Sequence, residues 1–229
     1  MSIPRHPVPD QPVPHGVDAL TSFQIEVIKL FFSIPESKGF LIAGGAGLVA
    51  HELSRRPTQD VDFFTCPGRG EVATGRDGLV KEAAERGMTI EILRDLPTYC
   101  RMLLTRSSET VLIDLAVDSS PERGESMTRL GPTYTVPELA GRKTIALFGR
   151  AAARDFVDVY NLATQFGTDS LLGWAAEVDA GFSIPVFREM LLFVRRFDNS
   201  EIPIPSAQVE PMRTFFNSWI DELGTLDHE

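Results

Sequence analysis

Apolar residues recur at helical spacing from Val17 to Ser33 (Leu20, Phe23, Val27, Leu30 and Phe31), the mark of a helix with one buried face. The stretch PESKG interrupts it, and GFLIAGG reads as a short buried strand that ends on Gly44 and Gly45. AGLVAHELSRR has a helical pattern until Pro57 stops it. QDVDFFT alternates and predicts a strand, CPGRG a loop, and residues 72–86 a helix ended by Gly87. Three strand patterns follow, MTIEILR, TYCRMLLTR and ETVLIDLAVD, and their short links predict antiparallel or mixed neighbours.

Beyond SSPERGES the period changes to helical. TVPELAGRKTIALFGR starts with Thr135 as N-cap and Pro137 early in a helix. AAARDFVDVYNLATQFG places Phe156, Val159, Ala163 and Phe166 on one face. Three more helical stretches fill residues 169–180, 184–199 and 205–224. The pattern divides the chain into a flexible Pro-rich leader (1–16), an α/β portion (17–134) and a helical portion (135–229), an α+β architecture.

Composition narrows the chemistry. With 229 residues the chain can bury one large core or two small ones. Its 43% hydrophobic and 24% charged residues are those of a folded, cytoplasmic protein. No apolar run reaches the roughly 20 residues of a membrane span, and the leader has no secretion-signal core. Cys66 and Cys100 form no CxxC pair, and the four histidines are scattered. A thiolate or imidazole metal site is thereby disfavoured, while a hard cation on carboxylates is not. His51 reads as a surface or satisfied core histidine, and Trp174 and Trp219 as core. A net charge of −10 confines any nucleic-acid contact to a local basic patch.

The candidate site lies in GGAGLVAHELSRRPTQDVDFF. Gly44 and Gly45 suit a strand-to-helix turn, and their lack of side chains lets backbone amides approach a phosphate. Asp60 and Asp62 stand two apart on a strand and so share a face, where like charges repel unless a cation lies between them. Asp114 sits in the apolar strand VLIDLAV, where an acid needs compensation, and a metal shared with Asp60 and Asp62 would supply it. Asp118 falls at the strand's end, where a turn role is ordinary. Lys143, Arg150 and Arg154 would form a basic stripe if their helix were continuous. The plain alternative is a solvated face with Arg154–Asp158 as an i,i+4 pair.

This ordered set resembles the polymerase-β-type nucleotidyltransferase superfamily, whose pattern is a Gly-Gly or Gly-Ser turn, a helix, an Asp-x-Asp strand and a third acid on a later strand. More narrowly, it resembles the AbiEii-type nucleotidyltransferase toxins, including the mycobacterial MenT group. That likeness rests on Arg56 and Thr58 before Asp60, on the lysine-bearing ELAGRKTIALFGR, and on RAAARDFVDVYNL. It runs from about Phe40 to Leu162; the departure is Gly45, where many superfamily members carry serine. The resemblance implies a polymerase-β-like mixed sheet with flanking helices and a C-terminal helical portion. It implies Mg²⁺ (or Mn²⁺) on Asp60, Asp62 and Asp114, and a nucleoside triphosphate at Gly44, Gly45, Thr58, Lys143, Arg154 and Asp158. Lys143 and Asp155 join the three acids as catalytic candidates. The implied acceptor is the 3′ end of tRNA, docked on Arg55, Arg56, Arg142, Arg150 and Arg154, and the implied partner is a cognate antitoxin. Two other readings are a small-molecule, aminoglycoside-type nucleotidyltransferase and a catalytically silent nucleotide- or protein-binding member.

Overall fold

A computed structural model describes residues 19–226. The leader read at 1–16 lies outside them. Among the described residues, eight α-helices and seven strands are arranged around one mixed sheet. In chain order the strands are β1 (Leu41–Ile42), β2 (Asp60–Thr65), β3 (Thr89–Leu96), β4 (Tyr99–Arg106), β5 (Glu109–Val117), β6 (Glu125–Met127) and β7 (Pro132–Tyr134). Their spatial order is β3-β4-β5-β2-β1-β7-β6. β3, β4 and β5 form the expected antiparallel meander, whereas β2 runs parallel to β5 and β1 parallel to β7.

One face of the sheet is closed by two helices. α1 (Ser22–Ser33) begins at a capping box in which Thr21 and Gln24 each accept from the other's backbone N–H. It buries Phe23, Val27, Leu30 and Phe31, and the Phe31 ring stacks on Phe63 of β2 at 4.2 Å. α3 (Val72–Glu85) lays Leu79 and Ala83 on the same apolar layer. The strands answer in alternation: Val61 and Phe63, Cys100 and Met102, Ile113 and Leu115 are buried beneath these helices. The opposite residues of the same strands, Asp60, Asp62, Phe64, Arg101 and Asp114 among them, therefore face the other way.

The helical portion consists of α4 (Val136–Arg150), α5 (Ala153–Phe166), α6 (Thr168–Val178), α7 (Ile184–Leu191) and α8 (Ser206–Leu226). Its core also takes in Leu41, Ala43, Leu48 and Tyr134, so it is packed against the β1–β7 end of the sheet. Three expectations change. The helix after the glycines, α2 (Gly44–Ala50), starts on Gly44 itself and stops six residues before Arg56, with Glu52 in the left-handed region. The basic stretch from Lys143 to Arg154 is not one helix, because Ala151 takes a left-handed conformation and the chain turns before α5. The segment 184–199 is α7 followed by a 3₁₀ turn, not a single helix. Strands β6 and β7 had no signal, being three residues each, with Pro132 at the first position of β7 where a missing N–H is tolerated.

α4 and α6 approach closely at Gly141. A β-carbon there would stand 2.5 Å from the carbonyl oxygen of Trp174 and 2.9 Å from Val178. Gly141→Ala gains about 1 kcal/mol of helix propensity. It meets backbone that cannot yield cheaply, and overpacking costs about 1–3 kcal/mol. Urea unfolding is expected to show a net loss of stability; a more stable variant would mean that the two helices separate freely.

Candidate active site

The open face of the sheet forms the floor of a cleft of about 800 Å³, with α4 and the start of α5 along one side. Register places the acids. Asp62 lies directly beside Asp114 across the parallel β2–β5 pair, and Asp60 follows two residues earlier on the same face. One carboxylate oxygen from each of the three comes within 4.8 Å of the others. Hard divalent cations favour such all-oxygen donor sets, so the residues fit a metal. Gly44 is bound to this geometry. Its φ is +59°, and a β-carbon would land on Oδ2 of Asp62, so only glycine lets the turn pass that close. Gly45 also lines the cleft; a β-carbon there would stand 2.8 Å from the hydroxyl of Thr58 and 3.3 Å from the guanidinium of Arg56.

Burial and the neighbouring acids together set the protonation of Asp62. Burial at the floor of the cleft pushes Asp62 up to about 7, with the charges of Asp60 and Asp114 adding to it. Lys143 and Arg154 pull the other way. The cations have distinct posts. Arg154 lies 3.5 Å from Oδ2 of Asp60, not on Asp158, so the i,i+4 pair is replaced by a contact across the cleft. Lys143 donates from Nζ to Oδ2 of Asp158 at 2.8 Å. Arg56 forks onto both oxygens of Asp158 at 3.0 and 3.1 Å. Desolvation opposes ionisation of Asp158, yet Lys143 and Arg56 outweigh it and hold the carboxyl below its ordinary value.

Asp155 and Asp158 are both fully buried and lie outside the cleft lining. Asp155 receives a bidentate Arg150 at 2.7 and 2.8 Å and the backbone N–H of Ala152 at the start of α5. It therefore holds Arg150, which does reach the cleft, rather than facing substrate itself. Thr58 is buried too, and its hydroxyl donates toward Asp60 Oδ1 at 3.3 Å. The supposed arginine patch is divided: Arg56 is held on Asp158, and Arg142 is committed to Glu138 and Asp118. His51 is satisfied by the carbonyl of Tyr134 at 2.9 Å.

Two residues escaped the sequence reading. Asp114 does have a partner. Arg101 donates to Oδ1 and Oδ2 at 2.7 and 2.5 Å, and Tyr99 donates its hydroxyl to Oδ1 at 3.0 Å. A signal for Arg101 existed. The two-residue link Ser107–Ser108 between β4 and β5 fixes the hairpin register, and counting back from Arg106↔Glu109 brings Arg101 opposite Asp114.

A model of the nucleotidyl transferase AbiEii toxin, type IV toxin–antitoxin system, matches residues 32–212. No curated protein matches. Among solved structures, the chain is similar to MenT4, a nucleotidyltransferase toxin from Mycobacterium tuberculosis. There the identity is 15% and the TM-score 0.57, over 87% of this chain and 82% of that one. It is similar to an H. pylori protein assigned as a nucleotidyltransferase, at 15% identity and TM-score 0.55, over 92% of this chain and 100% of that one. It is also similar to JHP933 from Helicobacter pylori, at 14% identity and TM-score 0.51, over 91% and 98%. Likeness at these identities concerns the fold.

Two measurements follow from the charges. In the cation-free protein Asp62 keeps its proton up to about pH 7, whereas the unfolded chain releases it near pH 4. The native state thus binds more protons between those values, and stability falls as pH rises through that window. Asp62→Asn is expected to remove this loss, so thermal melts of the variant gain on wild type from pH 5 to pH 8. Added Mn²⁺ should raise the melting temperature of wild type more at pH 8 than at pH 5.5. A pH-independent difference would refute the assignment. Asp158→Asn strands Lys143 and Arg56 without their counter-charge. Breaking such a buried pair costs about 3–5 kcal/mol, which urea unfolding will read.

Proposed function

The chain belongs to the AbiEii nucleotidyl transferase toxin family, and from that premise we propose that it transfers a nucleoside monophosphate from a triphosphate to the 3′ end of tRNA, using Mg²⁺. The observation that carries the reading is the convergence of Asp60, Asp62 and Asp114 beside the Gly44–Gly45 turn. Asp60, Asp62 and Asp114 would hold the metal, which when bound supplies positive charge to the triphosphate and lowers the pKa of the attacking hydroxyl.

The chain's own residues account for the rest. Gly44 and Gly45 leave the backbone bare where the triphosphate has to approach. Thr58 steadies Asp60 through its hydroxyl. Lys143 offers a fixed positive charge at the cleft wall, and fixed charges stabilise a leaving pyrophosphate without reorganisation. Asp158 and Arg56 hold that lysine in place. Asp155 does the same for Arg150, whose guanidinium stands beside the cleft ready to meet phosphate. Arg154, 42% exposed, is free to leave Asp60 for an incoming polyanion. As a toxin of this kind the protein would block aminoacylation in the cytoplasm and be neutralised by a cognate antitoxin. Among the described residues no helix is long and apolar enough to cross a membrane.

The test is incubation with tRNA, Mg²⁺ and each labelled nucleoside triphosphate. Wild type should label the tRNA 3′ end. Asp60→Ala should lose more than about 100-fold, since even outer partners of a metal site are worth 10- to 100-fold. Equal labelling by both proteins, or labelling of an aminoglycoside in place of tRNA, overturns the proposal.

A further inference from the structure

The row that holds Asp62 and Asp114 does not end there. Asp114 pairs across β5–β4 with Arg101, and Arg101 pairs across β4–β3 with Arg94. Directly paired residues share a face, so an acidic half and a basic half lie side by side on the open face of the sheet. Two features of the basic half are unusual. Arg101 covers both oxygens of Asp114, the acid a cation would share with Asp60 and Asp62. Arg94 and Arg101 are like charges directly opposite each other, an arrangement that destabilises a sheet. Arg101 has Asp114, but among the described residues no acid answers Arg94. Arg94 has no carboxylate within 4.0 Å among the described residues, and its neighbour Asp95 is taken by Arg76. Its guanidinium lies over the ring of Tyr99 at 5.8 Å, on an exposed edge strand.

Charge balance connects these features. Fully ionised, as ligands of a cation would be, the three acids carry three negative charges against Arg101 and Arg154, two positive ones. A divalent cation brings the acids nearly to neutrality by itself, and the two guanidiniums then repel it. Arg101 can move. Its side chain is 37% exposed while that of Asp114 is 8% exposed, so of the two it is the guanidinium that has room to leave. Its neighbour along the row, on the side away from Asp114, is Arg94.

We propose that Arg101 exchanges partners, holding Asp114 in the cation-free protein and, once the cation is bound, joining Arg94 to clasp a backbone phosphate of the RNA acceptor next to its reacting end. The proposal rests on the acceptor reading above, and assigns the acceptor side of the cleft to the β3–β4 face. Two guanidiniums on neighbouring strands suit one phosphate, which arginine binds by paired N–H donors. The strand-to-strand spacing of about 5 Å lets both reach it. Exposed Leu93 and Leu96 on β3 add apolar surface where the adjoining nucleotide would lie.

Two arms test it. Mn²⁺ binding to the nucleotide-free protein is measured by titration calorimetry for wild type, Arg101→Gln and Arg94→Ala. Arg101→Gln should bind roughly tenfold tighter, the size of effect that a residue next to metal ligands exerts. Arg94→Ala, which touches no acid, should match wild type. Equal or weaker binding by Arg101→Gln means that the arginine merely supports Asp114 and overturns the exchange. In the second arm a short single-stranded RNA is titrated with Mg²⁺ present, at several salt concentrations. Each variant should bind more weakly than wild type, with the slope of log affinity against log salt reduced by about one. If both variants bind RNA as wild type does while wild type still labels tRNA, this inference falls and the acceptor reading stands. If wild type neither binds nor labels RNA, both fall. Should Arg101→Gln fail to fold, the exposed Arg94→Ala decides the RNA arm alone.

Discussion

Three carboxylates brought within 4.8 Å of one another are the constraint around which this molecule is organised. Left alone they would repel and resist burial. Each nearby cation is placed in answer: Arg154 on Asp60, Arg101 on Asp114, and Lys143 at the wall, biasing Asp62 toward its charged form. The charges that hold Lys143 and Arg150 lie deeper. Asp158 is fully buried and carries both Lys143 and Arg56, tying α5 to α4 and to the loop before β2 with one carboxylate. Asp155 does the same for Arg150 at the start of α5. The site is thus built in two tiers, acids that face the cleft and acids that hold the cations facing it.

The two faces of the sheet divide the work. Beneath α1 and α3 the strands are apolar and packed, which fixes their register against slipping by a residue. That register is what sets Asp62 beside Asp114, because a slip of one would turn either acid into the core. The rigidity needed for carboxylates to converge comes from the side of the sheet that carries no chemistry. The turn at Gly44 depends on the same packing. It has to pass Asp62 at a distance that excludes a β-carbon, and β1 pairs with β2 to keep it there.

Much of this could be read in the chain. Alternation in QDVDFFT and VLIDLAV placed Asp60, Asp62 and Asp114 on strands, and an acid among apolar residues pointed to a partner. The meander and the helical second half followed from period and link length. Less legible were the ends and the breaks. The helix from Gly44 halts at Ala50, and the one carrying Lys143 halts at Arg150. In both places a non-glycine residue, Glu52 or Ala151, takes the left-handed conformation, which its own preference does not announce. The strands at 125–127 and 132–134 owe their existence to pairing with each other and with β1, not to their composition.

By itself the sequence determined the kinds of residue and their periods: which face of each strand is apolar, where the glycines allow a turn, and that three acids sit where strands would carry them. What only the tertiary structure decided was which charge answers which. Asp114 has Arg101 as its partner, Arg154 leaves its neighbour on the helix for Asp60, and Asp158 takes Lys143 and Arg56 from 15 and 102 residues away. The physical reason is range. Periodicity reports the few residues around a position, whereas electrostatic pairing depends on distance in space, and at the floor of a cleft nearness in space bears little relation to nearness along the chain.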